Sequence, residues 1–330
     1  MGIRYVFGIW YLKIVGHERN SYEGEKAMTT NNPQYLIPNT RLLITGATRL
    51  TGVIGWPVGH SLSPAMHNAA FAALGLDYVY VPLPVPPTRI GEAVRGLVAL
   101  GFAGANVTVP HKPAVLPLMD DLTPIARALA AVNTIIVRPD GSLLGNNTDG
   151  YGFMADLQSQ IANRKSQIEQ VLVLGAGGAA RAIVYALAEA GTTIAVVNRT
   201  PARAAELCQT VRRALPAAVV SAHPFPDALP ELAARADLIV NATSLGLHGD
   251  ADALPWNPAV PFRADQVVYD LIYNVETPLL KLAAAGGAQV IDGLGMLVHQ
   301  GARSFELWTG QKAPVDVMFE ALRRETGNRY

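Results

Sequence analysis

Short apolar runs alternate with longer segments of helical periodicity from residue 51 onward, a pattern typical of α/β folds with parallel strands. Ser63 and Pro64 suit the N-cap and first position of a helix, and Gly75 suits its end. Asp140 and Gly141 predict a tight turn between two strands. In this first unit the predicted strands are 52–55, 78–83, 103–107, 134–137 and 143–144, and the predicted helices are 65–74, 90–100 and 124–130.

A second unit follows the linking helix that is predicted over residues 149–161. It opens with four consecutive aliphatic residues, 171–174, which suit a strand buried on both faces of a sheet. Strands that recur with helical segments between them predict an open, doubly wound sheet. The remaining predicted elements are helix 179–190, strands 193–197, 238–240, 267–271 and 290–291, and helix 294–308.

The length of 330 residues exceeds what one hydrophobic core usually organises, so two domains with a cleft between them are expected. We expect one α/β domain over residues 41–150, completed by C-terminal helices in residues 293–330, and a Rossmann-type domain over residues 151–292. Residues 1–40 are apolar at first and then polar and aperiodic, which predicts a poorly ordered appendage. An extra structured element is the alternative, and Met28 is a second candidate for the true start.

Composition narrows the class of protein. Lys plus Arg and Asp plus Glu number 26 each, so the overall charge gives no support for non-specific binding to nucleic acid. The single cysteine, Cys208, excludes an intramolecular disulfide, and no Cys/His spacing resembles a zinc site. No apolar run approaches the roughly 20 residues that span a bilayer, and no export signal is recognisable. These features predict a cytoplasmic protein with no metal, membrane or nucleic-acid partner, and an organelle is the alternative location. Monomer and homodimer both stay open.

The glycine-rich segment after strand 171–174 is the first candidate binding site. Gly175, Gly177 and Ala180 lie between a predicted strand and a predicted helix, which is the context of a dinucleotide-binding fingerprint. The first glycine permits the tight turn, the second lets the backbone approach a pyrophosphate, and the small alanine permits close packing of helix on strand. A merely structural turn is the alternative. The predicted cofactor loop comprises Gly175, Ala176, Gly177, Gly178 and Ala179.

The end of the following strand indicates which dinucleotide is bound. NAD enzymes usually have an acidic residue there to bind the ribose hydroxyls, whereas this chain has Asn198, Arg199 and Thr200. Arg199 can pair with a 2′-phosphate, Thr200 can donate a hydrogen bond, and Arg203 adds positive charge one helical turn later. These residues predict a preference for NADP over NAD; the alternative is an exposed arginine at a helix start that Thr200 caps.

Four polar clusters of the first unit fall at or just beyond the ends of predicted strands, the edge at which open α/β sheets bind ligands. They are residues 61–64, 106–112, 131–134 and 147–150. With these clusters and the late segments 241–246, 269–273 and 292–300, the chain closely resembles the shikimate dehydrogenase family over about residues 43–310. Several separate motifs in the same order are far more specific than the glycine loop alone.

The resemblance implies an NADP-dependent, reversible reduction of 3-dehydroshikimate to shikimate in a cleft between the domains. It places Ser61 and Ser63 at the substrate carboxylate, with Tyr273 nearby. It places Asn106, Thr108, Lys112, Asn133, Asp149 and Gln300 around the ring hydroxyls. It further implies cofactor contacts by Thr243, Ser244, Leu271, Gly293 and Met296. Short donors and acceptors beside a lysine also suit a small hydroxylated acid on chemical grounds.

Lys112 and Asp149 are the candidate catalytic residues. Hydride delivery to a carbonyl leaves negative charge on the oxygen, and a lysine ammonium can both hydrogen-bond that oxygen and supply a proton. Asp149 is expected to orient Lys112 and to accept a hydrogen bond from the substrate; which of the two transfers the proton stays open. Each residue also has a structural explanation: Ser63 and Asp149 as N-caps, and Lys112 as an exposed turn residue held extended by Pro113.

Two other functions compete with this interpretation. The first is a quinate or quinate/shikimate dehydrogenase, with NAD as a further option for the cofactor. A single hydroxyl distinguishes the ring substrates, and the motifs do not discriminate between them. A non-catalytic NADP-binding sensor is the alternative from another class, and the polar cluster around Lys112 and Asp149 disfavours it.

Overall fold

The computed structural model describes residues 44–163, 167–243, 245, 254–273 and 275–326. These residues belong to one compact unit of the chain, Asn39–Tyr330. The prediction for residues 1–40 lies outside the described residues. The described part contains two six-stranded sheets, each with helices packed against it, so the predicted two-part α/β architecture is confirmed.

The first sheet is mixed, with the strand order β2-β1-β3-β5-β6-β4. Strand β1 pairs in parallel with both β2 and β3, and β4 pairs in parallel with β6. The predicted hairpin forms as the antiparallel pair β5 and β6. The strands are β1 (Arg49–Gly55), β2 (Tyr78–Pro84), β3 (Phe102–Val107), β4 (Asp121–Leu122), β5 (Thr134–Val137) and β6 (Leu143–Asn146).

Helices from both ends of the chain cover this sheet. Phe71 of the first helix stacks on Phe305 near the C-terminus with 5.0 Å between ring centroids, and Met318 joins the same buried cluster. Apolar burial therefore holds the C-terminal helices against the first sheet. The helices on this side are α1 (Ser63–Ala73), α2 (Ile90–Ala99), α3 (Pro124–Leu129), α9 (Leu294–Thr309) and α10 (Val315–Glu325).

The second sheet is wholly parallel, with the order β12-β11-β10-β7-β8-β9, and forms the predicted doubly wound arrangement. Helix α4 (Asp149–Gln160) links the two sheets and packs against both α5 and α9. The strands are β7 (Gln170–Leu174), β8 (Thr193–Asn198), β9 (Val220–Pro224), β10 (Leu238–Asn241), β11 (Val267–Asp270) and β12 (Gln289–Ile291). The helices are α5 (Gly178–Glu189), α6 (Pro201–Ala214), α7 (Leu229–Arg235) and α8 (Pro278–Ala285).

Two helix caps differ from the structural explanations of the sequence. Leu62, and not Ser63, occupies the N-cap position of α1, and Thr148, and not Asp149, occupies that of α4. Neither N-cap side chain makes a capping hydrogen bond. Ser63 and Asp149 are therefore the first helical residues, and their side chains are not used as N-caps.

Candidate active site

The polar clusters of the first sheet meet in one cavity of about 210 Å³. Its volume is below the roughly 300–1,000 Å³ of pockets for drug-sized ligands, so it suits a small molecule. Every residue that the sequence analysis associates with the substrate lines this cavity. They are Ser61, Ser63, Asn106, Thr108, Lys112, Asn133, Asp149, Tyr273 and Gln300.

An ion pair lies within this cavity. Nζ of Lys112 donates to Oδ2 of Asp149 at 2.6 Å, and only 19% and 7% of the two side chains are exposed. Nδ2 of Asn133 donates to the other carboxylate oxygen at 2.7 Å. Lys112 is thus not the exposed turn residue that the structural explanation requires. The carboxylate orients the ammonium group while a buried amide orients the carboxylate.

Asn133 is itself fixed by its neighbours. Its Oδ1 accepts hydrogen bonds from the backbone N–H of Thr148 at 2.8 Å and from the hydroxyl of Thr134 at 2.8 Å. Its Nδ2 also lies 3.5 Å from Oε1 of Gln300 on α9. The C-terminal helix therefore contributes a polar group to a site built mainly by the first sheet.

The opposite wall begins where β1 ends. Oγ of Ser61 accepts a hydrogen bond from the N–H of Ser63 at 3.3 Å, which fixes the turn into α1. The backbone N–H of Thr108 donates to the carbonyl oxygen of Ile54 at 2.8 Å, so the end of β3 is held beside β1. Burial raises the pKa of the Tyr273 hydroxyl, which stays protonated and can donate a hydrogen bond.

The glycine loop has the geometry that close approach of a phosphate requires. Gly175 has φ +105°, and a side chain there would press on the backbone of Ala242 at 3.0 Å. A Cβ at Gly177 or Gly178 would meet no atom within 4 Å, and both residues are exposed. Behind the loop, Ala180 is fully buried against the sheet. The open side of the loop faces the N-terminus of α5, whose N–H groups favour an anion.

The arginine segment follows β8, which is the strand next to the glycine loop in the sheet. Arg199, Thr200 and Arg203 are exposed, and the side chains of both arginines make no hydrogen bond or ion pair to another described residue. Thr200 occupies the N-cap of α6, but its hydroxyl makes no capping bond. Nδ2 of Asn198 donates to the carbonyl oxygen of Thr200 at 2.8 Å and fixes the turn. The arginine and threonine side chains are therefore available to a ligand.

The remaining cofactor residues follow the ends of the other strands of this sheet. The hydroxyl of Thr243 donates to Oδ1 of Asn241 at 2.8 Å, which shapes the loop after β10. Ser244 lies outside the described residues. Four predicted cofactor residues also line the cavity that holds the substrate residues. These are Ala179, Leu271, Gly293 and Met296.

Three acidic side chains lie beneath the strand ends of the second sheet. Burial raises the pKa of Asp292 to about 6, and it also raises the pKa values of Asp156 and Asp270. The hydroxyl of Tyr269 donates to Oδ2 of Asp156 at 2.6 Å, and Thr277 donates to Oδ2 of Asp270 at 2.7 Å. These bonds tie helix α4 to β11 and fix the loop that carries Leu271 and Tyr273.

Sequence reasoning missed several polar residues that support the site. Thr134 and Thr148 hydrogen-bond Asn133, and Ser304 hydrogen-bonds Asn106 at 2.9 Å. The two threonines stand inside the polar clusters already recognised. Ser304 lies four residues after Gln300, so helical spacing places the two on one face. His60 also lines the cavity.

Among the described residues, no group of three or more His, Cys, Asp or Glu side chains is arranged to hold a metal ion. No helix in the described part is both long enough and apolar enough to span a bilayer. Cys208 is a buried residue of α6.

Comparison with known proteins gives consistent matches over most of the chain. Family models match for the shikimate dehydrogenase substrate binding domain (residues 53–135), shikimate/quinate 5-dehydrogenase (156–247) and the shikimate 5′-dehydrogenase C-terminal domain (293–323). An NADP(+) shikimate dehydrogenase of Anaeromyxobacter sp. (strain K) is 47% identical, covering 87% of this chain and 100% of that protein. One of Moorella thermoacetica is 48% identical, covering 86% and 96%. A crystal structure of a shikimate dehydrogenase with NADP+ is 38% identical with a TM-score of 0.79, covering 86% of this chain and 98% of that one.

Proposed function

The chain belongs to the shikimate dehydrogenase family, and we propose that it catalyses the reversible, NADP-dependent reduction of 3-dehydroshikimate to shikimate. One observation carries this proposal above the others. A single cavity is lined both by the nine predicted substrate residues and by Ala179, Leu271, Gly293 and Met296 of the dinucleotide-binding half. A reduced nicotinamide and a small hydroxylated acid would therefore share one space, as direct hydride transfer requires.

The substrate would lie with its carboxylate toward β1 and α1. Ser61 and Ser63 provide hydroxyl donors there, and the protonated Tyr273 also lines the cavity. The ring hydroxyls would face Asn106, Thr108, Asn133 and Gln300 on the other side. A ligand without these hydroxyls would leave buried polar groups unpaired, which is the basis of substrate discrimination in this account.

The residues of the second sheet fit NADP. The open glycine loop would receive the pyrophosphate, and Arg199 with Arg203 would pair with the 2′-phosphate beside Thr200. No acidic residue stands in the segment after β8, where NAD enzymes hold the ribose hydroxyls. Bound NADPH supplies the hydride that the reaction consumes.

Lys112 and Asp149 would stabilise the negative charge that develops on the substrate oxygen. As the carbonyl is reduced, its oxygen gains negative charge, and the ammonium group of Lys112 can hydrogen-bond it and supply the proton. Asp149 holds that ammonium group at 2.6 Å and keeps it aimed into the cavity. In the reverse direction the same pair would accept the proton from the shikimate hydroxyl. A dinucleotide sensor would not need this pair in its ligand cavity.

The proposal also covers the organisation of the chain. We propose that residues 41–150 and 293–330 form the substrate domain and residues 151–292 the NADP domain. The contacts of α9 and α10 with α1 support this division, because the C-terminal helices pack on the first sheet. A cytoplasmic location is proposed as well, since the reaction consumes NADPH and the curated relatives are NADP(+) shikimate dehydrogenases.

Steady-state kinetics with two acids and two cofactors test the proposal. The purified protein is assayed with shikimate and with quinate, each against NADP+ and NAD+. We expect the highest kcat/KM with shikimate and NADP+. A higher kcat/KM with quinate would replace the proposed substrate, a higher value with NAD+ would overturn the proposed role of Arg199, and NADP+ binding without turnover of either acid would favour a sensor.

A further inference from the structure

Tyr80 of β2 lies behind the substrate wall of the cavity and does not line it. Its side chain is 1% exposed, and its hydroxyl donates to Oδ1 of Asn106 at 2.8 Å. Burial raises the pKa of this phenol far above its ordinary value, while the Ser63 side chain lowers it in part by hydrogen bonding. The phenol is thus a permanent donor located between two side chains that do line the cavity.

Two consecutive residues of α1 hold Tyr80 in place. The ring of His67 stacks on the Tyr80 ring with 4.2 Å between centroids and 4° between planes. Asn68 makes two hydrogen bonds to the backbone of Tyr80: its Nδ2 donates to the carbonyl oxygen at 2.9 Å and its Oδ1 accepts from the N–H at 2.8 Å. One helix therefore carries both Ser63 and the two groups that fix the tyrosine.

The hydrogen bonds of Asn106 leave its amide a single orientation. Nδ2 donates to the backbone carbonyl of Asn133 at 3.2 Å and to Oγ of Ser304 at 2.9 Å. A backbone carbonyl only accepts hydrogen bonds, so the amide nitrogen must face it. Oδ1 is then turned toward Tyr80, the one side-chain donor that it has among the described residues.

We propose that Tyr80 is a positioning residue for the substrate, which acts by holding the Asn106 amide so that its oxygen can accept a hydrogen bond from a ring hydroxyl. The carbonyl oxygen has two acceptor sites, and Tyr80 occupies one of them. The inference rests on the proposed function, because it requires a hydroxylated ring in the cavity. It also explains why two consecutive side chains of α1, the buried His67 and the partly buried Asn68, both contact this tyrosine.

Tyr80→Phe tests this assignment with little change in shape, because it keeps the ring that stacks on His67. The variant leaves Oδ1 of Asn106 buried without its donor. We expect the KM for shikimate to rise roughly five- to thirty-fold, with the KM for NADP+ and kcat within about twofold of wild type. If Tyr80 had only a structural role, the variant would have a lower unfolding temperature, and the KM for shikimate would not rise relative to the KM for NADP+.

Tyr78→Phe is the matched control. Tyr78 lies two residues earlier on the same strand, and its buried hydroxyl accepts from Arg49 at 2.7 Å and donates to the carbonyl of Trp308 at 3.4 Å, away from the cavity. This control is expected to lose some stability and to keep the wild-type KM for shikimate. Ser304→Ala, which removes a partner of the Asn106 nitrogen, gives a second test should Tyr80→Phe fold poorly, and it too should raise the KM for shikimate.

A double-mutant comparison identifies the route of the effect. In an Asn106→Ala background, Tyr80→Phe should no longer change the KM for shikimate, because the residue it positions is gone. An unchanged KM in the single variant, or an equal rise in both backgrounds, would overturn the inference while the wild type remains active. Wild-type protein that fails to turn over shikimate would instead overturn the proposed function, and this inference with it.

Discussion

The side chain of Lys112 shows how one residue gains its function from its neighbours. It lies just beyond the end of β3, where its ammonium group reaches the carboxylate of Asp149, and that carboxylate is in turn held by Asn133. A flexible lysine is thereby confined to one direction in the cavity. Under the proposed mechanism, such confinement would let the group act on the substrate oxygen without reorganisation during the reaction.

Lys112→Ala is predicted to lower kcat by about 100- to 10,000-fold, the usual contribution of a positioned acid or base. The KM for NADP+ should change little, because Lys112 belongs to the substrate side of the cavity. Lys281→Ala is the control, since that lysine is 62% exposed on α8 and, in the part of the chain that the structure describes, pairs only with Glu276. Steady-state kinetics with shikimate make the comparison; a kcat near the wild-type value would remove Lys112 from the chemistry.

Arg199→Ala is predicted to lower kcat/KM with NADP+ by roughly 10- to 100-fold, because a charged hydrogen bond to the 2′-phosphate contributes about 1.5–3 kcal/mol. Activity with NAD+, which lacks that phosphate, should stay close to wild type. Arg213→Ala removes the same charge from the far end of α6 and should preserve the cofactor preference. An equal decrease in kcat/KM with both cofactors would show that Arg199 does not bind the 2′-phosphate.

His67→Phe is predicted to alter the pH dependence of stability. Burial lowers the pKa of His67 to about 3, and neither ring nitrogen has a hydrogen-bond partner among the described residues. In the unfolded chain the His67 imidazole binds a proton below about pH 6.5, whereas in the folded chain it stays neutral until the pH is much lower. The free energy of unfolding of the wild type therefore falls as the pH drops below about 6.5.

Relative to wild type, the phenylalanine variant should gain about 1.4 kcal/mol in free energy of unfolding for each pH unit between about 6 and 4. Urea unfolding at several pH values measures this difference. His223→Phe, at a partly exposed imidazole that contacts Ser221, should follow the wild-type curve. A difference in free energy of unfolding between His67→Phe and wild type that stays constant across this pH range would contradict a neutral His67 in the folded protein.

At the scale of elements, the sequence predicted most of the strands and helices that a repeating apolar pattern defines, but it gave no prediction for helices α7 and α8 or for the two-residue strand β4. Strand β9 was missed because it is an edge strand whose residues, apart from Val220, are largely exposed, so no apolar run marks it. The N-cap of α1 was misplaced by one residue because Pro64 is equally suited to the first or the second helical position. Ser304 was missed since a lone serine in an apolar helix has no distinguishing pattern.

The contact between the linking helix α4 and the C-terminal helix α9 depends on a glycine. A Cβ at Gly295 would overlap the carboxylate of Asp156, whose other oxygen accepts from Tyr269. Gly295→Ala is therefore predicted to lower the free energy of unfolding by about 1–3 kcal/mol, as overpacking usually does.

Replacing Gly96 by alanine should instead raise the free energy of unfolding. Gly96 lies within α2, and a Cβ there would meet no atom within 4 Å, so alanine should add about 0.5–1 kcal/mol through helix propensity. Chemical denaturation of both variants gives the comparison. Equal changes at the two positions would show that α4 and α9 are not closely packed at Asp156.

At the scale of the whole molecule, the active site exists only because distant segments converge. Lys112 and Asp149 come from the first sheet and the start of α4, Gln300 from α9, and Leu271 from the end of β11. The order of the motifs indicated these residues as candidates. The order of the strands in each sheet and the packing of the C-terminal helices on the first sheet depend on long-range contacts, which local sequence patterns do not encode. The proposed chemistry requires that this convergence place the two reactants in contact.

A crystal structure of the protein with NADP+ and shikimate tests that requirement most directly. We predict the nicotinamide ring in the cavity next to Ala179 and Met296, with its C4 about 3–3.5 Å from the ring carbon that is oxidised. Nζ of Lys112 should lie within hydrogen-bond distance of the oxygen on that carbon. Shikimate bound on another surface, or a nicotinamide too far away for direct hydride transfer, would contradict the account.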